Sequence, residues 1–362
     1  MKYKVLHLST SHSGGAGIAA RNLSRELNLN GVSSAFLSLD SGSYLSEVNE
    51  FAIKRRFLSK YRGGLTSRIL DMLSSKTYFT LFSVPSMGIK DLQKFGSPGE
   101  LTLHIHNWFN LASIKTFRKL ARHGYRFVFT LHDMRLLTGG CHYSLECTGF
   151  TKGCKKCPHL PRGFSIATTK NHSMQMKFFR EFSTAIRVVT PSHWLTSLAS
   201  KQLSVLGISP EYVPNFHPTR PLNSTQNISR FDSGRPLRLG VASNNLSSYL
   251  KGGDLTDALL QEIKQRRIPA EMLYLRDFSD QADGMESFWS RIDFLLVLSR
   301  ADNSPNVIHE ARIHGVPVIG TDVGGIPELL DNSFDIKIEA KDAEVSSLSE
   351  LIENLVLRKQ EY

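Results

Sequence analysis

The sequence contains no apolar run that approaches the length of a membrane-spanning helix, about 20 residues. Its first residues, M-K-Y-K-V-L-H-L-S-T, lack the long apolar core and the small-residue cleavage site of a secretory signal. We therefore predict a cytoplasmic protein that begins with a strand. A hydrophobic content of 41% and a charged content of 21% are typical of a globular chain and exclude a disordered one. The 362 residues suffice for two domains of ordinary size.

Acidic residues are scarce, because 33 Asp and Glu stand against 44 Lys and Arg, which gives a net charge of +11. This excess predicts a negatively charged partner, without separating nucleic acid, anionic lipid and nucleotide substrates. The segment 54–76 is the most basic and interleaves its charges with apolar side chains. Such a composition is typical of an amphipathic helix on an anionic membrane surface. A solvated basic flank of a domain fits the segment equally well, and both interpretations stay open.

Strands and helices alternate along the chain, which predicts an α/β protein with parallel sheets. Near the N-terminus, a strand, the loop S-T-S-H-S-G-G-A-G, a helix and a strand form a βαβ unit. Gly14 and Gly15 in this loop allow the backbone to approach a phosphate closely, although the loop matches neither the dinucleotide fingerprint nor the P-loop. A polar, proline-containing stretch near residue 220 predicts the linker between domains 1–219 and 220–345. Residues 346–362 predict a helix, for which packing back across the domains is one option.

The stretch S-R-A-D-N-S-P-N-V-I-H-E-A-R-I-H-G-V-P-V, which begins at Ser299, follows a predicted buried strand. Ser304 is the predicted N-cap of a helix, Pro305 its first residue, and Gly315 its end. The N-terminus of this helix therefore lies at the carboxyl edge of a parallel sheet, where open α/β sheets bind ligands. Two carboxylates frame the site: Asp302 precedes the helix, and Glu310 lies one turn after Asn306.

This stretch resembles the donor-binding signature of the group 1, glycogen-synthase-like family of retaining GT-B glycosyltransferases. In that family a Glu, seven residues and a second Glu precede a G-x-P-V strand; here Asp302 and Glu310 hold the two acidic positions. The resemblance implies two Rossmann-like domains that face each other across a cleft and bind a UDP- or GDP-linked sugar. It also implies that Glu310 holds the ribose and that Asp302, one methylene shorter than the usual Glu, meets the donor sugar with Asn303.

Other positions take their roles from the same resemblance. His132, at the end of the apolar run F-V-F-T-L-H, matches a histidine that contacts the donor sugar, whereas His106 is expected to be structural. Lys251 precedes a helix start, where a cation suits a diphosphate. Asn244 or Asn245 stands where the family has an arginine. We therefore assign catalysis to His132, Lys251, Asp302 and Glu310, and donor binding to Gly14, Gly15, Asn244, Lys251, Asn303, Ser304, Asn306 and Glu310.

All four cysteines fall within one window, in the loop 139–160, with the spacing C-x5-C-x6-C-x2-C. In a protein expected in the cytosol, clustered cysteines indicate a metal site rather than disulfides. Four thiolates would hold one structural zinc ion, with His142 as a substitute ligand; free thiols and a redox pair remain the alternatives. The window also resembles that of a subgroup in exopolysaccharide and O-antigen assembly, of the colanic-acid type. The predicted zinc ligands are Cys141, Cys147, Cys154 and Cys157.

The resemblance thus implies a retaining hexosyltransferase that acts on a hydroxyl of a lipid-linked glycan in bacterial surface polysaccharide synthesis. We expect it at the cytoplasmic face of the membrane, with segment 54–76 as one possible contact. No D-x-D motif lies near the donor site, so we expect no catalytic metal. Two alternatives stay open: an inactive nucleotide-sugar-binding protein, and a basic nucleic-acid binder. The cysteine window lacks the aromatic and basic interleaving of a base-stacking surface, so we expect no nucleic acid.

Overall fold

The computed structural model describes residues 3–39, 49–54, 69–70, 72–74, 76–81, 83–216, 234–243, 248–278, 283–331 and 333–360. The chain divides into two compact units, Met1–Pro218 and Thr219–Tyr362. Each unit is built around one parallel sheet with helices between the strands. The predicted α/β class with two Rossmann-like domains is therefore confirmed.

The strands of the first unit form a single parallel sheet whose order reverses once. They are β1 Val5–Leu8, β2 Ser34–Leu39, β3 Glu50–Ile53, β4 Thr102–Ile105, β5 Arg126–Thr130, β6 Ile186–Thr190 and β7 Glu211–Tyr212. Their order in the sheet is β3-β2-β1-β4-β5-β6-β7. The direction of connection changes between β1 and β4, and ligands of open α/β sheets bind at such a switch point.

Five helices belong to the described part of the first unit: α1 Gly15–Leu29, α2 Ile89–Leu92, α3 Ile114–Arg122, α4 Ser165–Glu181 and α5 His193–Leu203. Helix α1 begins at Gly15, earlier than the glycine loop suggested, and its N-cap Gly14 has a φ of 79° that favours glycine. Helix α4 was not predicted. Its buried face includes Thr168, Asn171 and Gln175, so the apolar periodicity that indicates a helix is missing.

A cluster of aromatic side chains forms the centre of the first core. Phe117 on α3 meets Phe129 on β5 edge to face, with ring centroids 5.5 Å apart, and Phe178 on α4 packs against both. Edge-to-face pairs add to the free energy of simple burial. The aromatic cluster therefore ties two helices to the sheet on the side of β5.

As far as it is described, the second unit repeats the architecture with five strands: β8 Leu237–Val241, β9 Ala270–Tyr274, β10 Phe294–Val297, β11 Val318–Thr321 and β12 Ile336–Ile338. The strands are parallel, in the order β12-β11-β10-β8-β9, so the switch point lies between β8 and β10. Its helices in the described residues are α6 Gly253–Gln265, α7 Gly284–Arg291, α8 Asn306–Ile313 and α9 Val345–Gln360.

The C-terminal helix α9 places its apolar face in the core of the second unit. Leu348, Ile352 and Val356 are buried there in one cluster with Leu259 and Ile263 of α6. Packing back across the domains was one option for this helix; the structure assigns its buried face to the second unit.

The basic segment 54–76 lies largely outside the described residues, so its contact with a membrane stays a prediction. Among the helices that the structure does describe, none combines the length and the apolarity needed to cross a membrane.

A layer of buried histidines lies in the sheet of the first unit. His7 on β1 pairs in register with His104 on β4, and His106 follows β4. His7 Nδ1 and His106 Nε2 lie 3.0 Å apart, and His104 Nε2 lies 2.7 Å from Thr130 Oγ1. Burial lowers the pKa of His7 to about 3 and holds the pKa of His104 and His106 well below 6.5. These imidazoles are therefore neutral at pH 7.

Asp293, at the start of β10, is a fully buried carboxylate that holds together three segments of the second unit. Arg235 donates two hydrogen bonds to it, of 2.9 and 2.7 Å, and the backbone N–H of Arg238 donates a third, of 2.9 Å. The Nζ of Lys359 on α9 lies 3.4 Å from the same carboxylate. A buried charge is tolerated only when such partners replace water.

We expect Asp293→Ala to lower the free energy of unfolding by about 3–5 kcal/mol, because it removes the anion that faces the buried ammonium of Lys359 and the half-buried guanidinium of Arg235. Glu353→Ala is the matched control, since Glu353 forms a half-exposed pair with Arg266 that contributes less than about 1 kcal/mol. Urea unfolding of the three proteins measures both values. Equal losses in the two variants would show that Asp293 does not organise this unit.

The histidine layer predicts a loss of stability in acid. The pKa of each of these histidines is lower in the folded chain than in the unfolded chain. Their contribution to stability is therefore complete above the unfolded pKa of about 6.5, and it is lost as the pH falls from there through the folded pKa. Each such histidine steepens the fall by up to about 1.4 kcal/mol per pH unit. Urea unfolding between pH 7.5 and pH 4.5 measures how the free energy of unfolding changes with pH. This free energy should fall less steeply with pH in His104→Gln than in the wild type. His123→Gln, at an exposed position, is the control and should show the wild-type dependence on pH. A wild-type slope in His104→Gln would refute the assignment.

Candidate active site

The loops that follow β8 and β10 meet at the switch point of the second sheet. The guanidinium of Arg300 donates two hydrogen bonds to Asp254, of 2.6 and 2.7 Å, and one of 2.9 Å to the carbonyl of Tyr249. The backbone N–H of Arg300 also donates to Leu250. These bonds hold the pKa of Asp254 below its usual value and fix the two loops to each other.

An ion pair between Lys251 and Asp302 lies where these loops meet. The ammonium of Lys251 donates to Oδ2 of the buried Asp302 carboxylate, whose Oδ1 accepts the backbone N–H of Asn303 at 2.8 Å. Lys251 was predicted to bind the diphosphate and Asp302 the sugar, and the structure brings the two side chains together. An ammonium carries three N–H donors, so this pair leaves Lys251 able to bind an anion as well.

Two glycines allow the close contact of the loops. Gly252 has a φ of 66°, and a Cβ placed there would lie 1.9 Å from the carbonyl oxygen of Leu298. Gly324 has a φ of 60°, and its Cβ would lie 1.9 Å from the carbonyl oxygen of Asp302. Any side chain at either position would displace the loop that carries Asp302, so the geometry of the ion pair depends on both.

The start of α8 differs from the prediction. Ser304 was predicted to cap the helix with Pro305 as the first helical residue, and this is wrong: Pro305 is the N-cap, α8 begins at Asn306, and no side chain caps it. The reason is the extended conformation of Pro305, with ψ at 118°. The hydroxyl of Ser304 is buried and has no hydrogen-bond partner among the described residues. An uncapped helix start beside an unpaired hydroxyl is suited to an anionic ligand.

Glu310 lies one turn further along α8 and is half-buried. Burial raises the pKa of its carboxyl, and no side-chain ion pair to it occurs in the part of the chain that the structure describes. Gly315, with a φ of 64°, follows the C-cap His314 and ends the helix region as predicted. Asn303 is buried in the preceding loop, whereas Asn244 and Asn245 lie outside the described residues.

In the first unit, His132 lies two residues beyond β5, at the carboxyl edge of the sheet. Its Nε2 lies 3.1 Å from Nδ1 of His106, which extends the contact of His7 with His106 into a row of three imidazoles. Burial lowers the pKa of His132 to about 4, so its imidazole is neutral at pH 7. His7 and His104 were not among the predicted site residues, because only the pairing of β1 with β4 brings them together.

The four cysteines line one small cavity, together with Phe79 and His159, and are unbonded thiols. Backbone N–H groups donate to their sulfurs: Gly139 to Cys154 at 3.0 Å, and Gly149 to Cys147 at 3.3 Å. Burial raises the pKa of Cys154 to about 11, and it raises the pKa of Cys141 and Cys157 as well. Where the chain is described, the three possible metal-ligand atoms that lie within 4.8 Å of one another belong to His7, His104 and His106.

Comparison with known proteins supports the resemblance seen in the sequence. The profile of the family "Glycosyl transferases group 1" matches residues 242–357. The WcaC protein of Escherichia coli K12, named as a glycosyl transferase of colanic acid biosynthesis, is 26% identical over 266 residues. That match covers 65% of this chain and 63% of WcaC.

Solved structures share the fold along nearly the whole chain. Anabaena Alr3699/HepE in complex with UDP has a TM-score of 0.56 and 13% identity, and the alignment covers 99% of this chain and 91% of that one. Sucrose-phosphate synthase of Thermosynechococcus elongatus has a TM-score of 0.63 and 12% identity, with 98% and 90% coverage. These comparisons show a two-domain GT-B fold along nearly the whole chain and a similarity of its second unit to the group 1 glycosyl transferases.

Proposed function

We propose that this chain is a retaining glycosyltransferase that moves a hexosyl unit from a UDP-linked sugar to a hydroxyl of a glycan in bacterial surface polysaccharide synthesis. The similarity to WcaC, which is named as a glycosyl transferase of colanic acid biosynthesis, supports polysaccharide synthesis as the pathway. The complexes of HepE with UDP and with UDP-glucose support uridine over guanosine in the donor.

The Lys251–Asp302 ion pair beside the uncapped start of α8 is the observation that carries the proposal. In glycosyl transfer from a nucleotide sugar, the leaving diphosphate gains negative charge as the glycosidic bond breaks. A preorganised ammonium and backbone N–H groups stabilise such charge without reorganising during the reaction. We infer that Lys251 and the N-terminus of α8 supply this stabilisation, so that the donor site needs no catalytic metal ion.

The carboxylates have separate tasks in this mechanism. Both oxygens of Asp302 already bind protein donors, so Asp302 positions Lys251 and Asn303 toward the donor. Glu310 accepts hydrogen bonds from the ribose hydroxyls, which a half-buried carboxylate binds well. His132 keeps the assignment to the donor sugar that the resemblance implies, as a neutral hydrogen-bonding group. The departing diphosphate takes the proton of the acceptor hydroxyl.

A lipid-linked acceptor, and contact of segment 54–76 with an anionic membrane face, also belong to the proposal. The net charge of +11 and the basic composition of that segment support them. Binding to anionic but not to zwitterionic vesicles is the corresponding measurement.

We expect UDP to raise the melting temperature of the wild type, since a ligand at 100 times its Kd stabilises the folded state by about 2.7 kcal/mol. Lys251→Ala and Glu310→Ala should each lose most of this rise. Lys264→Ala, an exposed lysine near the opposite end of α6, is the matched control and should behave as the wild type. The same measurement with GDP, ADP and CMP identifies which base the site prefers. If no nucleotide shifts the melting temperature of the wild type at millimolar concentration, the site assignment fails.

If UDP does shift it, UDP release from UDP-glucose tests turnover. The anomeric configuration of the product then tests retention.

We further propose that the four cysteines bind one structural zinc ion. Backbone N–H groups that donate to sulfur favour the thiolate form, and a divalent cation lowers the pKa of the thiols that burial raises. Four protein ligands leave zinc no open position for catalysis. The ion would hold the loop 139–160 against the small apolar cluster of Leu70, Phe79, Leu81 and Leu160.

Metal analysis distinguishes this site from the buried histidines. Protein purified without added metal should contain about one zinc per chain. The double variant Cys147→Ser and Cys157→Ser should lose the metal and melt at a lower temperature, whereas His104→Gln should keep it. Zinc that persists in the cysteine variant and disappears from the histidine variant would move the site to His7, His104 and His106.

A further inference from the structure

Arg135 is a buried cation of the first unit whose hydrogen bonds are incomplete. Its side chain lies just beyond β5, and the residue is only 4% exposed. One terminal nitrogen, Nη2, donates to Oδ1 of Asn107 at 3.1 Å, and the guanidinium carbon lies 5.2 Å from the ring centre of Trp108. Its Nε is buried and has no partner among the described residues. A guanidinium offers five N–H donors, and in the described part of the chain most of them have no acceptor.

The carboxylate nearest in sequence does not satisfy Arg135. Oδ2 of Asp133 lies 3.2 Å from Nδ1 of His142, and Oδ1 accepts the backbone N–H of Arg135 at 2.8 Å. Burial alone would raise the pKa of Asp133, but the contacts with His142 and Arg135 hold it well below its usual range, so Asp133 is ionised. Its charge offsets that of Arg135 in part, but its oxygens are engaged by other donors. Buried arginines in proteins are normally paired with an acceptor.

A small cavity lies against this side chain. Its volume of about 30 Å³ exceeds the volume that a single water molecule needs. Its lining includes Arg135, His106, His132 and Ala16. Ala16 belongs to the first turn of α1, which contains no acidic residue and has no side-chain cap. The N-terminus of this helix adds positive potential to that of Arg135.

We propose that this cavity binds one anionic oxygen group, a carboxylate or a phosphate, that a substrate carries. The planar guanidinium matches two oxygens of such a group, and a neutral hydroxyl would leave its charge uncompensated. The neighbouring imidazole of His132 is neutral at pH 7 and adds a hydrogen bond rather than charge. The anion would be an acidic sugar of the acceptor or a phosphate of the donor. This inference rests on the proposed function for the identity of the substrates, not for the binding of an anion.

The test compares four probes on the full chain: glucuronate, its neutral counterpart glucose, inorganic phosphate and UDP. Ligand-dependent melting temperatures and titrations should show that glucuronate and phosphate bind the wild type and that glucose does not. Arg135→Gln should weaken glucuronate and phosphate at least about tenfold, the loss expected for a charged hydrogen bond. Arg135→Lys keeps the positive charge but lacks the planar guanidinium. Its affinity for the two anions should lie between those of the wild type and of Arg135→Gln. Lys251→Ala should lose UDP and keep glucuronate, which separates a failure here from a failure of the donor site.

The outcomes show whether the anion comes from the acceptor or from the donor, or that the cavity binds no anion. Arg135→Gln that loses UDP, while glucuronate does not bind the wild type, would assign the cavity to a donor phosphate. Equal binding of all anions by wild type and Arg135→Gln would overturn the proposal, and Arg135 would then be a structural cation on Trp108. If Arg135→Gln does not fold, Arg135→Lys makes the same comparison, and unchanged affinity in that variant has the same meaning.

Discussion

The burial of the Asp302 carboxylate is the constraint on which the site of the second unit depends. A buried anion needs donors, and Lys251 from the loop before α6 and the backbone N–H of Asn303 provide them. Gly324 must lack a side chain because it packs against the carbonyl of Asp302. One carboxylate thus brings together three loops, from β8, β10 and β11, and so creates the edge at which α8 begins.

The same constraint explains the departure from the family pattern at this position. In Asp302, Oδ1 accepts a hydrogen bond from the next residue's N–H, while Oδ2 holds Lys251. A glutamate would extend the carboxylate by one methylene, away from its own backbone. We infer that the shorter side chain favours positioning of Lys251 over direct contact with the sugar. In the proposed mechanism the aspartate is then an adaptation of the donor site, and its presence is no argument against turnover.

Local patterns predicted the parts of the fold that depend on local physics. Gly315 was recognised as a helix end because a left-handed conformation favours glycine. Ser304 was misplaced as the cap because the conformation of Pro305, not the residue type before it, decides where α8 starts. His7 and His104 were not predicted as members of a histidine layer, because β1 and β4 come from distant parts of the chain. Only the strand order of the sheet makes them neighbours.

Buried polar atoms that lack hydrogen-bond partners lower the stability of this fold. The Ser304 hydroxyl, Nε of Arg135 and Nε2 of His7 are buried without partners among the described residues. Each such atom costs about 1–3 kcal/mol. Ser304 and Arg135 follow β10 and β5 at the carboxyl edges of the two sheets, where substrates of open α/β sheets bind. The aromatic and aliphatic cores provide the compensating stability, and a ligand that supplies the missing partners stabilises the unit it binds. Binding at either edge should therefore be visible as stability before it is visible as turnover.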